Sequence, residues 1–382
     1  MMKITAKRAT AADFGELTSF LDRVFTAHNG TPMDFKAAYP RIFVPTEEAM
    51  QRHVVAKSDG KIIGMAGCYP YIYRVGDVDL SVAVTGNVAV DEAYRGHGVM
   101  QTVLHRLIEE EKDAHDLLFL HGDRQRYRYF GYERCGIECF FTLTRSMLGK
   151  DDPERKLQFV DLRAADADVV DAAYALSAAQ PFGVIRSRAD FMPALTAKSQ
   201  TPLAVLSETG TLLGYVCVDT YRDSFTETVL ADADLFYDVV KAYMQHSGFA
   251  KCFISLPLYH PLTKHAAQYA DRYQIVQPGS FCVLNPSKVI TAFMQAKRLY
   301  TNLPDGMLRL DSEVFGKLAV AKEGESISVT PFEGEADISL PGFSAYGFLF
   351  GTLPPRTEGM STPKAQLAQQ WFPLPLHCAA LS

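Results

Sequence analysis

The chain has 382 residues, enough for two or three domains, and its 48% hydrophobic and 21% charged residues are ordinary for globular protein. A net charge of −6 excludes the general basic footprint of a nucleic-acid binder. No run of about 18 apolar residues suggests a membrane span, and the start, MMKITAKRATAADFGELTSFL, lacks the apolar core of a signal peptide, so a cytoplasmic location is expected.

That opening stretch reads as a strand followed by a helix. HVVAK and KIIGMAGCYPYIYRV are apolar runs separated by Ser58-Asp59-Gly60, a hairpin pattern. VDLSVAVTGNVAV is another strand. After it, Val99, Met100, Val103, Leu104, Leu107 and Ile108 fall on one helical face. LLFLHGD is a short buried strand running into polar residues, and YRYFGYERCGIECFFTLT leads into a final strand.

From about 155 to 285 the mixture repeats. PLAVLSETGTLLGYVCVDTY is a hairpin turning at Thr209-Gly210, DADLFYDVVKAYMQH an amphipathic helix and CFISLP a strand. From about 286, PSKVITAFMQAKRLY is a helix. GKLAVAKEGESISVTPFEGEADISLPGFSAYGFLFGTL holds two or three strands and a helical or turn segment, and LPPRTEGMSTP and WFPLPL read as loops.

Seven scattered cysteines, 68, 135, 139, 217, 252, 282 and 378, argue against a disulfide framework. Cys135 and Cys139 lack a second ligand pair, and His260 and His265 are isolated, so no metal site is expected.

One turn stands apart. VAVDEAYRGHGVMQTVLHRL places Arg95, Gly96, His97, Gly98 and Val99 between a strand and a helix. A helix N-terminus carries unpaired N–H groups and the positive end of the dipole, which together bind phosphates. Glycines let a ligand approach the backbone, and arginine adds a fixed charge. The set therefore suits a pyrophosphate. A glycine-eased turn with a surface arginine is the other account of the same residues. A P-loop would need Gly-Lys-Ser/Thr, and a dinucleotide fingerprint would need glycine where Gln101 stands, so a nucleotide-dependent oxidoreductase is disfavoured.

Strand, Arg-x-x-Gly turn, amphipathic helix, short strand and late aromatic strand resemble the acetyl-CoA-binding core of the GNAT acetyltransferase superfamily. Met100 departs from the small residue usual there. Across its length the chain resembles the Eis-like acetyltransferases, which tolerate a large residue at that position. YRYFGYERCG resembles their Tyr-x-x-Phe-Gly-Tyr segment, and ADISLPGFSAYGFLFG a segment of their last domain. The resemblance implies an α/β (α+β) protein in three parts. These are a catalytic GNAT domain (1–150), a degenerate GNAT-like domain (151–285) and a sterol-carrier-protein-like domain (286–382), in a homo-oligomer, often hexameric.

It also implies an N-acetyltransferase acting on a primary amine, of the aminoglycoside, polyamine or lysine-like kind, with acetyl-CoA as donor. A non-catalytic CoA- or lipid-binding scaffold is the alternative. Val88, Ala89 and Val90 would meet the pantetheine arm, and Arg95 through Met100 the pyrophosphate, with the thioester near Phe119–Gly122. Tyr127 falls on the family's general acid, although composition does not separate it from Tyr129 or Tyr132. The family's base is the C-terminal carboxylate, here that of Ser382 in place of the usual aromatic residue. His121 and Glu133 are other candidate bases. FTAHNGTPMDF offers Phe25, His28, Asp34 and Phe35 as an acidic and aromatic lining suited to a cation.

Overall fold

The computed structural model describes residues 4–149 and 155–378. Two compact units arise. The first holds the described residues of Met1–Tyr71 with Leu80–Arg134 and Gly279–Pro286; the second holds the remainder.

In chain order the first unit's elements are β1 (Thr5–Arg8), α1 (Phe14–Asn29), α2 (Phe35–Ala38), α3 (Glu47–Met50), β2 (His53–Ser58), β3 (Lys61–Val75), β4 (Val78–Val90), α4 (Val99–Glu111), β5 (Leu117–Leu120), α5 (Arg124–Tyr127) and β6 (Glu133–Cys135). The sheet order is β1-β2-β3-β4-β5, then the late strand Gly279–Val283, then β6. The β2–β3 hairpin turns through Asp59 and Gly60, both at positive φ, as a two-residue connection of matching twist requires. β2 and β3 are apolar almost without interruption because both faces are covered. Val54, Ala56, Ile63 and Ala66 pack with Val99, Val103, Leu104 and Leu107 of α4. Val55, Ile62 and Met65 pack with Leu17, Phe20 and Leu21 of α1 and with Phe35 and Phe43. Each fully buried aliphatic side chain of α4 contributes roughly 1.5–3 kcal/mol, which fixes that helix on the sheet.

The sequence predicts the CFFTLT run as the last strand of the first domain. It forms the strand Glu138–Thr144 but pairs in the second unit's sheet, antiparallel to both Lys251–Pro257 and Arg272–Val276. The place beside β5 is taken by Gly279–Val283, whose Ser280 to Val283 pair with Leu120 to Leu117.

The second unit's seven-stranded sheet has the predicted hairpin, Thr201–Ser207 with Leu212–Val218, near one edge. The predicted helix, Phe236–Ser247, packs its buried face against that sheet. A separate four-stranded sheet runs in the order Ser326–Pro331, Gly316–Glu323, Gly306–Ser312, Ile338–Leu340. The helix Pro286–Arg298 buries Lys297, whose ammonium donates to the carbonyls of Trp371 and Pro373 at 3.1 and 3.0 Å. Beyond Trp371 the chain is tied by Leu374 N–H to Leu349 O at 2.7 Å and by Ile137 N–H to Leu376 O at 2.9 Å. No helix among the described residues is long and apolar enough to cross a membrane.

Candidate active site

Local rules build the turn between β4 and α4. The Asp91 side chain accepts from the Ala93 amide at 3.0 Å and opens a short 3-10 turn over Glu92–Tyr94. Gly96 and Gly98 both have φ +77°, a left-handed conformation that costs a residue with a side chain about 1–2 kcal/mol. Gly98 is the N-cap of α4, and Thr102 N–H donates to Gly98 O at 2.9 Å. The amides of Val99, Met100 and Gln101 therefore lack intrahelical acceptors. Arg95 is 59% exposed, and its partner Glu92, 3.6 Å away, is more exposed still. Such a surface pair is weak, which leaves the guanidinium available to an anion.

The splay beside this turn comes from strand register. β4 and β5 pair in parallel at Val82↔Leu117, Ala83↔Leu118 and Val84↔Phe119, and the pairing stops there although β4 continues to Val90. At the divergence, Asn87 has φ +53° and its amide donates to the Tyr69 hydroxyl at 2.6 Å. A Cβ on Gly86 would lie 3.0 Å from the Tyr69 ring. Tyr69 thus braces a bend in β4. Asn87 and Tyr69 were not singled out in the sequence, where the isolated glycine of VTGNVAV was the available sign of a bulge.

A cavity of about 710 Å³ opens between the strands. Val88, Ala89, Val90, Arg95, Gly96, Gly98, Val99 and Met100 line it together with His121, Gly122 and Tyr127. Of the predicted phosphate-turn residues only His97 is outside this lining; its Nδ1 lies 2.9 Å from the Arg95 carbonyl oxygen. The residues fit acetyl-CoA: open backbone donors, a half-free arginine and an unpaired strand edge surround one cavity of ligand size.

The three tyrosines separate clearly. Tyr129 is 84% exposed and outside the lining, whereas Tyr132 is 1% exposed and its hydroxyl lies 2.6 Å from Thr85 Oγ1. Tyr127 is 8% exposed and lines the cavity from α5. A Cβ on Gly122 would sit 2.4 Å from the Tyr127 ring, so this glycine is required for the tyrosine's position. Burial pushes the Tyr127 phenol up, so it carries its proton at neutral pH.

Among the candidate bases, His121 is exposed and lines the cavity. Glu133 does not: it is buried and paired with the guanidinium groups of Arg124 and, at 3.0 Å, Arg128, which removes it as a free base. Ser382 lies outside the described residues. Phe25 and His28 line the cavity as expected. Asp34 and Phe35 do not. Asp34 caps α2 by accepting from Ala37 N–H at 3.1 Å, and Phe35 is in the core beneath α1.

A mixed sheet splayed at two parallel strands thus brings a glycine-eased helix N-terminus and a buried tyrosine to one cavity. Residues 5–135 match the acetyltransferase (GNAT) domain family, so the chain carries a GNAT acetyltransferase domain and is an acyltransferase. No curated protein matches this sequence. Solved structures share the fold over nearly the whole chain. A conserved protein of unknown function from Enterococcus faecalis V583 is 16% identical, with TM-score 0.72, covering 98% of both chains. A GCN5-related N-acetyltransferase from Anabaena variabilis is 16% identical, with TM-score 0.70, covering 97% of both. Eis1 from Mycobacterium abscessus is 13% identical, with TM-score 0.66, covering 99% of both.

Proposed function

We propose that this protein is an Eis-like N-acetyltransferase that moves an acetyl group from acetyl-CoA directly to a primary amine. The observation that carries this is the convergence of the arginine-glycine turn and the buried Tyr127 on one cavity. Backbone groups of Val88, Ala89 and Val90 would hold the pantetheine arm; Arg95, Gly96, His97, Gly98, Val99 and Met100 would hold the pyrophosphate. Acetyl-CoA, when bound, supplies an activated acyl group. Placing it beside the amine makes the encounter effectively unimolecular. Tyr127 Oη holds the proton for the departing sulfur. The Ser382 carboxylate takes the proton from the amine, with His121 as the second candidate.

The acceptor pocket favours a lysine-like single amine over a polycationic aminoglycoside or polyamine. Asp123 is the one carboxylate residue in the described lining, and Arg126, also in the lining, lies 3.8 Å from it. The helix Pro286–Arg298 and the four-stranded sheet support a sterol-carrier-like third part, 286–382, after GNAT parts 1–150 and 151–285. A homo-oligomer completes the proposal.

The test is thiol release from acetyl-CoA with a panel of lysine-like amines, polyamines and aminoglycosides, beside a chain ending at Cys378. Amine-dependent release that collapses on truncation supports transfer with a terminal carboxylate base. Release that survives truncation moves that role to His121. Absence of release, together with no rise in melting temperature on adding acetyl-CoA, overturns the proposal.

A further inference from the structure

At the end of α4 remote from the glycine turn, three unlike donors meet. Cys68 of β3, Glu111 at the last position of α4 and His115 just beyond it present Sγ, a carboxylate oxygen and a ring nitrogen within 4.8 Å of one another. The surrounding hydrogen bonds fix how each donor is presented. Ser81 Oγ lies 3.1 Å from the Ala114 carbonyl oxygen and 2.9 Å from His115 Nδ1. When the hydroxyl proton goes to that carbonyl, the ring proton sits on Nδ1 and Nε2 offers a lone pair. Arg8 donates to Glu111 Oε1 at 2.5 Å and turns Oε2 toward the histidine. Nε2 and Oε2 lie 3.2 Å apart, a gap that one proton or one bound cation bridges. The thiol of Cys68 adds a third donor to the Glu111 carboxylate side.

We propose that Cys68, Glu111 and His115 form a binding site for a thiophilic divalent cation of the zinc type. Sulfur, imidazole and carboxylate are the donors such an ion takes, with a fourth position left for water. Tetrahedral ligation would bring the donors to roughly 3.5 Å separations, a contraction of up to about 1.3 Å. Ser81 and Arg8 are the outer partners that hold the imidazole tautomer and the carboxylate in place. On binding, the Cys68 S–H bond breaks, sulfur bonds the metal and the proton passes to solvent. The site is a staple rather than part of the transfer chemistry. The 13 residues of α4 put it about 20 Å from the glycine turn. It clips the end of α4 to the middle of β3.

The test titrates Co²⁺ into full-length protein stripped with a chelator. One equivalent should bind with a thiolate-to-cobalt charge-transfer band, release about one proton and be displaced by Zn²⁺. Cys68→Ser should abolish the band, and His115→Gln, at the partly accessible rim, should weaken affinity at least tenfold. If Cys68→Ser does not fold, His115→Gln decides alone. No band in the wild type means that a proton on His115 fills the gap and overturns the proposal. So does a band that persists in Cys68→Ser, or an affinity unchanged by His115→Gln.

Discussion

Tyr127, Tyr129 and Tyr132 fall within six consecutive residues, yet they have three different environments: cavity wall, solvent and core. If Tyr127 Oη is the proton donor, Tyr127→Phe should lower kcat on the order of 10²-fold or more while leaving the KM for acetyl-CoA unchanged. Gly122→Ala should reproduce part of that loss, because its Cβ would displace the Tyr127 ring, and its melting temperature would report any wider disturbance. Burial raises the phenol above its ordinary value, so the donor form survives to higher pH than in a free tyrosine, and steady-state rates should show no loss from this group up to about pH 10. Little of this was legible from composition. Tyr127 was singled out by resemblance alone, since aromatic residues in a strand-like run read alike until packing separates them. The Cys68, Glu111 and His115 cluster was invisible for another reason. Its members lie 43 and 4 residues apart, and no short spacing announces ligands gathered by a strand and a helix end.

The amphipathic helices α4 and Phe236–Ser247 differ at their starts. α4 begins behind two glycines and an arginine. The helix Phe236–Ser247 begins behind Asp232, whose carboxylate accepts from Asp234 N–H at 2.9 Å, so its approach is already filled with negative charge. The second region, though built on the same pattern, carries Asp232 and Asp234 where α4 has its arginine and glycines. Arg95→Met should therefore raise the KM for acetyl-CoA about tenfold in steady-state assays, whereas Asp232→Asn should leave it unchanged. The helix Pro286–Arg298 carries a separate, pH-dependent strain. Burial lowers Lys297 from the ordinary 10.5 to about 8. Between pH 8 and 10.5 the unfolded chain binds a proton that the folded chain has released, so stability rises with pH in that window. Urea midpoints should increase from pH 7.5 to 9.5, and Lys297→Met should lack that increase. Strands and helices of this kind were legible in the periodicity, as was the hairpin at Asp59-Gly60. Which sheet takes Glu138–Thr144 was not, because an apolar run specifies burial and leaves its partners open.

For the whole molecule, negative net charge and modest size set the class, but sheet membership crosses long stretches of sequence. The family match ends at residue 135, whereas the sheet that carries the cavity needs Gly279–Val283 beside β5. A fragment of residues 1–150 should therefore expose the β5 edge and aggregate, measured as loss from the soluble fraction, while the full-length chain stays soluble. The same strand has a bearing on biosynthesis. After Leu120 leaves the ribosome, 159 further residues must be translated before Gly279 appears. At bacterial-type elongation rates that interval is roughly 8 to 32 s. During it, the catalytic sheet waits with an open edge for a strand not yet made. The nascent chain is thus most vulnerable to chaperone capture and misassembly in mid-synthesis, and codon choice between these two strands sets how long that exposure lasts.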